Sequence, residues 1–234
     1  MNKFIFSCFT EDYFERFGAG WVGSLREISK FDGIIVFLSL GYKRQRVMDA
    51  LKSNNITVLH EDDGANRRQI VFDKISDLQR HSPGVFAYMD FDGYFNGEIN
   101  PMFEESNDGN LHMCENFSMG LVCGNNEAWN SYADYRKFEN ACGLMPSMND
   151  FFSSNRKIAK LDSSWNCIDM DMDHVEKAKF IHYSTGLKQV PDGIESLELS
   201  FERRFPDYCA KWKSIFFENQ RPHIKLKIIG NKEN

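Results

Sequence analysis

Val85-Phe86-Ala87-Tyr88-Met89-Asp90-Phe91-Asp92-Gly93 is the stretch on which the reading of the fold turns. Its first five residues are a continuous apolar run of the kind that suits a strand covered on both faces. Two carboxylates follow, one residue apart, where that strand ends. If the chain stays extended there, Asp90 and Asp92 project to the same side and can converge on one hard cation. Asp-x-Asp alone is a weak signal, since the same two residues before Gly93 can simply cap a turn. What gives the motif weight is its place in the chain.

Three similar runs precede it: Phe4 to Phe9, Gly33 to Leu40, and Ile56 to Leu59. Helical patterns lie between them. Tyr13 to Ser29 is the first, Arg44 to Ser53 carries Val47, Ala50 and Leu51 on one face, and Asn66 to Gln79 carries Val71, Ile75 and Leu78. Strands alternating with helices of this length predict β-α-β crossovers and a mostly parallel sheet flanked by helices, an α/β fold. Ligands of such sheets bind beyond the carboxyl ends of the strands, which is where the two aspartates are expected.

After residue 90 the rhythm loosens. A polar stretch from Glu104 to Asn110 precedes Leu111 to Cys123, read as one or two strands. A helix is expected from Glu127 to Ala141, a loop around Pro146, Ser147 and Asn149, and a short strand at Lys179 to Tyr183. Ile194 to Asn219 reads as one or two helices interrupted at Pro206. There is no internal repeat and no low-complexity linker. One domain is expected: a nucleotide-binding half (1–93), a smaller mixed acceptor-side region (94–193) and a C-terminal helical segment (194–234).

Composition narrows the function classes. With 28 Lys+Arg against 34 Asp+Glu in 234 residues, the formal net charge is −6, which argues against a nucleic-acid partner. The hydrophobic fraction of 42% and the 21 Phe fill a large core and exclude a disordered chain. The longest apolar run falls far short of the roughly 20 residues of a membrane span. Six widely spaced cysteines, without a C-x-x-C pair, read as reduced thiols in a cytoplasmic protein.

A second chemical element is Phe180-Ile181-His182-Tyr183-Ser184-Thr185-Gly186-Leu187-Lys188. An apolar strand ending in His, followed by Gly and Lys, offers an imidazole to a metal, a tight turn to a phosphate, and an ammonium to the same anion. A lone His after an apolar run is more often structural. With two carboxylates available it completes a donor set suited to Mn²⁺ or Mg²⁺.

Taken in this order, the strand-helix units, Met89-Asp90-Phe91-Asp92 and His182-x-x-x-Gly186-x-Lys188 resemble the GT-A fold nucleotide-sugar glycosyltransferases, most closely the retaining family 8 group that includes glycogenin and bacterial galactosyltransferases. The resemblance runs over nearly the whole chain. Phe117 to Asn125 is similar to that group's Asn-x-Gly segment, with Ser118 in place of Asn. Asp150 to Asn155 resembles its Asp-Gln-Asp-x-x-Asn, keeping Asp150 and Asn155 only, and Leu161 to Asn166 is similar to the stretch that follows. Lys188 is followed by Gln189 and Val190 where the group has Pro-Trp.

The resemblance implies a transferase that moves a hexose-type sugar from a UDP-sugar donor to a glycan or lipid-linked glycan acceptor. Asp90, Asp92 and His182 would hold Mn²⁺ (or Mg²⁺), while Gly186 and Lys188 meet the diphosphate. Thr10 and Tyr13, after the first strand, correspond to the nucleoside contacts. Arg67 is the basic residue assigned to the donor, with Arg68 and Lys74 as alternatives. Asp150 and Asp92 are the two catalytic candidates, Asp150 being the carboxylate to test near the acceptor hydroxyl.

Two rivals stand beside this. Asp90-x-Asp92-Gly93 also looks like the signature of haloacid-dehalogenase-type phosphatases, which carry it on the first strand of their core rather than the fourth. A non-catalytic nucleotide-sugar-binding module would keep the carboxylates without turnover. His112, Cys114 and Cys123 hold zinc-type donors but at no recognised spacing. The basic and aromatic segment from Phe201 to Ile229 reads first as a helix packed on the core, and second as a peripheral attachment to the inner face of an anionic membrane.

Overall fold

The run at Val85 lies in the middle of a seven-stranded sheet. A computed structural model describes residues 1–62, 67–114, 120–141, 158–168, 176–183 and 201–217, excluding the side chains of 67–69 and 136–141. The first half is β1 (Lys3–Phe9), α1 (Glu11–Glu27), β2 (Ile34–Leu40), α2 (Gln45–Ser53), β3 (Ile56–Glu61), α3 (Arg67–Leu78) and β4 (Val85–Met89). These four strands are parallel, in the order β3-β2-β1-β4. The chain therefore builds outward from β1 to β3 and returns to the other side of β1. That reversal makes the carboxyl ends of β1 and β4 the switch point of the sheet, where a crevice opens between diverging connections.

β6 (Leu111–Cys114), β7 (Leu121–Asn125) and β8 (Ile158–Leu161) extend the sheet beyond β4 in the order β7-β6-β8. β7 runs antiparallel to both its neighbours, and β8 is parallel to β6, so six strands share one direction and β7 opposes them. A second, mixed sheet of three short strands has the order β5-β10-β9: β5 (Gly93–Phe95), β10 (Phe180–His182) and β9 (Cys167–Ile168). This is the fold class expected, with β5, β8, β9 and the short helix α4 (Asn100–Glu105) added.

Apolar side chains alternate between the two faces of the main sheet. Ile5, Phe9, Phe37, Ala87 and Met89 pack under α1 and α2. Phe4, Phe6, Phe86 and Tyr88 pack under α3 and α5 (Asn126–Ala141), through Phe72, Trp129 and Tyr132. Burial on both faces is why these strands read as unbroken apolar runs. The C-terminal helices α6 (Phe201–Arg204) and α7 (Pro206–Phe217) lie against α1. Pro206 opens α7 at the position where a missing N–H costs nothing, which explains the interruption predicted there. Gly23 lets Trp212 of α7 come close, since a Cβ at that position would stand 2.7 Å from the indole.

Candidate metal and donor site

Where β4 ends, the backbone is held from several directions. The Ser7 hydroxyl donates to the Met89 carbonyl at 2.6 Å, the Asp90 N–H donates to the Gly120 carbonyl at 2.8 Å, and the Trp21 indole N–H donates to the Asp90 carbonyl at 3.0 Å. Phe91 turns inward, 2% exposed, its ring stacked 5.5 Å from that of Trp21. The Phe91 ring anchors the turn, while Asp90 and Asp92 on either side of it project outward together. The Tyr88 hydroxyl donates a hydrogen bond to Asp90 Oδ1.

His182 reaches this point from the other sheet. β10 pairs antiparallel with β5, placing His182 opposite Gly93, and the Tyr183 N–H donates to the Asp92 carbonyl at 2.8 Å. Gly93 permits the approach: a Cβ there would lie 2.5 Å from the Ile181 carbonyl oxygen. His182 Nε2 consequently stands 3.2 Å from Asp92 Oδ1 and 3.5 Å from Asp90 Oδ2. One donor atom from each residue lies within 4.8 Å of the others, and the side chains are only 6%, 12% and 14% exposed for His182, Asp90 and Asp92.

This geometry fits a divalent cation. Two carboxylates held this close, if both are ionised, repel by about 3–4 kcal/mol at an effective dielectric near 20. Two oxygens and one nitrogen on one side of a shared centre suit Mn²⁺ or Mg²⁺ and leave positions for ligand oxygens. Among the described residues this is the group of three acidic, His or Cys side chains close enough to hold a metal.

Beside the triad a cavity of about 220 Å³ is lined by Cys8, Phe9, Thr10, Tyr13, Tyr88, Asp90, Phe91 and Asp92. Thr10 sits at the extended residue preceding α1 and makes no side-chain cap there, and the Tyr13 ring lies 5.9 Å from that of Phe17. The structure thus brings Thr10, Tyr13, Asp90, Asp92 and His182 to one end of β1 and β4. Arg67 opens α3, but its side chain, like those of Arg68 and Gln69, lies outside the description. Lys74 forms an ion pair with Glu61 at the end of β3. Asp150, Gly186 and Lys188 lie outside the described residues.

The reading of the sequence missed Tyr88 and Trp21. Tyr88 carries a signal, since alternation along an extended strand points residues 88 and 90 the same way. Trp21 has none, being 69 positions from the carbonyl it binds. The zinc-type donors are otherwise engaged: His112 Nε2 lies 2.8 Å from Asp108, and burial pushes the Cys114 and Cys123 thiols up to about 12, leaving them protonated. In α7 the aromatics Trp212 and Phe216 are buried, and Lys211 and Lys213 pair with Glu27 and Glu202. No described helix is long and apolar enough to cross a membrane.

No family model and no curated protein matches the sequence. Solved structures do. The apo-form glycosyltransferase GlyE of Streptococcus pneumoniae superposes with a TM-score of 0.60 at 13% identity, over 92% of this chain and 62% of that one, less than two thirds of its length. The galactosyltransferase LgtC, in complex with donor and acceptor sugar analogues, gives 0.59 at 12% identity over 89% and 95% of the two chains. Mouse xyloside xylosyltransferase 1 gives 0.51 at 14% identity over 78% and 97%. At such identities the likeness speaks for architecture, and that architecture is the GT-A fold of glycosyltransferases.

Proposed function

We propose that the protein is a metal-dependent glycosyltransferase that moves a hexose-type sugar from a UDP-sugar to a glycan or glycolipid acceptor with retention of configuration. The observation that carries this reading is the convergence of Asp90, Asp92 and His182 at the β1/β4 switch point, against a cavity bounded by Thr10 and Tyr13. Transfer breaks the bond from the anomeric carbon to the diphosphate and forms one to an acceptor oxygen, so negative charge grows on the leaving group. A divalent cation bound there would neutralise that charge.

The chain's own residues do the remaining work. Asp90 and Asp92 present oxygens, and His182 a nitrogen, from a frame fixed by Ser7, Trp21 and the Tyr183 backbone. Thr10 and Tyr13 border the nucleoside, Tyr13 offering a ring face for stacking. Arg67, Gly186 and Lys188 are proposed to meet the donor phosphates and sugar, and Asp150 to face the acceptor. The phosphatase alternative loses its footing because Asp90 follows the fourth strand, beside β1, in a sheet with glycosyltransferase neighbours.

A screen of nucleotide-sugars with Mn²⁺ or Mg²⁺ tests the reading. UDP and metal together are expected to raise the melting temperature more than either alone, by mass action, and the matching UDP-sugar should be slowly hydrolysed to UDP. No stabilisation by any nucleotide with metal would refute the proposal. Stabilisation without hydrolysis or transfer would identify a binding module instead. Proton NMR of the product anomer reads retention or inversion.

A further inference from the structure

Asp90 has two oxygens in unequal surroundings. Oδ1 accepts the hydroxyl hydrogen of Tyr88, and Oδ2 is the oxygen 3.5 Å from His182 Nε2. Tyr88 is itself immobilised. It is 2% exposed, lies on β4 opposite Phe6 of β1 and Val122 of β7, and meets Phe72 of α3 edge to face at 5.2 Å. Its hydroxyl reaches the same cavity that Asp90 lines.

We propose that Tyr88 is a positioning residue for the cation site: by occupying Oδ1 it fixes the rotation of the Asp90 carboxylate and presents Oδ2 alone toward His182 and Asp92. The inference rests on the metal-site reading above. A carboxylate on a strand terminus can otherwise turn about its last bond and offer one oxygen, the other, or both. A rigid donor on Oδ1 removes that freedom before any cation arrives, and outer partners of metal ligands commonly account for 10–100-fold in affinity. The Phe72 contact ties the orientation of Asp90 to α3, the helix that Arg67 opens.

The test is Mn²⁺ binding to the full chain without nucleotide-sugar, by calorimetry and by the Mn²⁺ electron paramagnetic resonance line shape, for wild type, Tyr88→Phe and Asp92→Asn. Tyr88→Phe keeps the ring, its packing and the strand, so metal-free melting should stay within about 4 °C of wild type. Its affinity for Mn²⁺ should nevertheless fall about tenfold, with a broadened spectrum as Asp90 samples several orientations. If Tyr88→Phe binds as tightly as wild type, or tighter, while Asp92→Asn loses binding, Tyr88 does not position Asp90 and the metal-site reading stands. If affinity falls only because the melting transition is lost, Tyr88 is a packing residue and the proposal fails. If wild type does not bind Mn²⁺, or Asp92→Asn binds equally well, the metal reading fails and this inference with it.

Discussion

β1 and β4 have two ends, and each end opens into a hollow. At the carboxyl end the space is about 220 Å³ and holds two aspartates converging on a histidine. At the amino end it is larger, about 510 Å³, and is lined by Asn2, Pro83, Gly84, Asn107, Asn125, Asn126 and Glu127. Size favours the second and chemistry the first. The amides at the wide end are spent on stitching loops together: Asn126 Oδ1 accepts from the Gly84 N–H at 2.7 Å, Asn126 Nδ2 donates to Gln79, Asn2 Nδ2 donates to the Pro83 carbonyl at 3.1 Å, and Asn125 Oδ1 accepts from the Ala128 N–H at 3.1 Å. Asn side chains that already hold backbone groups in this way serve the fold. At the narrow end two carboxylates and an imidazole converge as a donor set, and the proposed function places the working end of the sheet there.

The largest effect expected from this contrast is at Asp92. Asp92→Ala should lower the rate of sugar transfer or donor hydrolysis by about 10²–10³-fold, the scale of one lost electrostatic contact to a developing charge. Metal-free melting should stay close to wild type, because the Ser7 and Trp21 bonds and the Phe91 packing that fix the turn do not involve the Asp92 side chain. Steady-state rates and melting curves measured together check both halves. A variant with wild-type turnover would move the working end elsewhere.

Gly93→Ala attacks the junction rather than the donors. The added Cβ would stand 2.5 Å from both the Ile181 carbonyl oxygen and the Phe180 ring, so β5 and β10 must separate. Overpacking of that kind costs about 1–3 kcal/mol. Since His182 is the residue opposite Gly93, Mn²⁺ binding should weaken along with the melting temperature. Asn126→Ala supplies the opposite-end control. It removes an acceptor from Gly84 and a donor from Gln79, at a cost of about 2 kcal/mol or roughly 4–8 °C for a chain of this size. Turnover and metal affinity below the new melting point should be unchanged. A loss of activity in Asn126→Ala comparable to that in Asp92→Ala would erase the distinction between the two ends.

These sites differ also in how far the sequence discloses them. β1, β2, β3 and β4 are legible because burial on both faces imposes unbroken apolar runs, and Asp90 and Asp92 are legible because they terminate one of them. Strands β5 and β9, of three and two residues, are too short to show any period, and β8 offers only four. His182 stands out by its neighbours in sequence, yet its meeting with Asp92 depends on Gly93 accepting β10 at close range, a relation across nearly ninety residues. The Trp21 bond to the Asp90 carbonyl is of the same long-range kind. Tyr88 differs: the alternation that aligns it with Asp90 is local, and a strand read residue by residue contains it.

The smallest effect expected separates a carboxylate outside the donor cluster from those within it. Near the amino end, Asp108 accepts from His112 Nε2 at 2.8 Å and from the Asn110 N–H and Nδ2 at 3.0 and 2.9 Å. Burial pushes its carboxyl up, but these bonds outweigh that and hold it at about 2. A carboxyl held below its ordinary value favours the folded chain wherever it is ionised, so its contribution is complete above about pH 5 and is lost as pH falls through about 2. The side chain is 48% exposed, and solvent screening keeps that contribution under about 1 kcal/mol. Asp108→Asn should therefore be slightly less stable than wild type at pH 6, and the two should converge by about pH 1.5 in urea unfolding. Because one carboxylate here faces one imidazole of its own, Mn²⁺ should stabilise Asp108→Asn as much as wild type and leave Asp92→Asn untouched. A gap between wild type and Asp108→Asn that persists below about pH 1.5 would mean that the substitution disturbs packing and not these hydrogen bonds, and Mn²⁺ stabilisation lost in Asp108→Asn would place a second metal-sensitive carboxylate at the wrong end of the sheet.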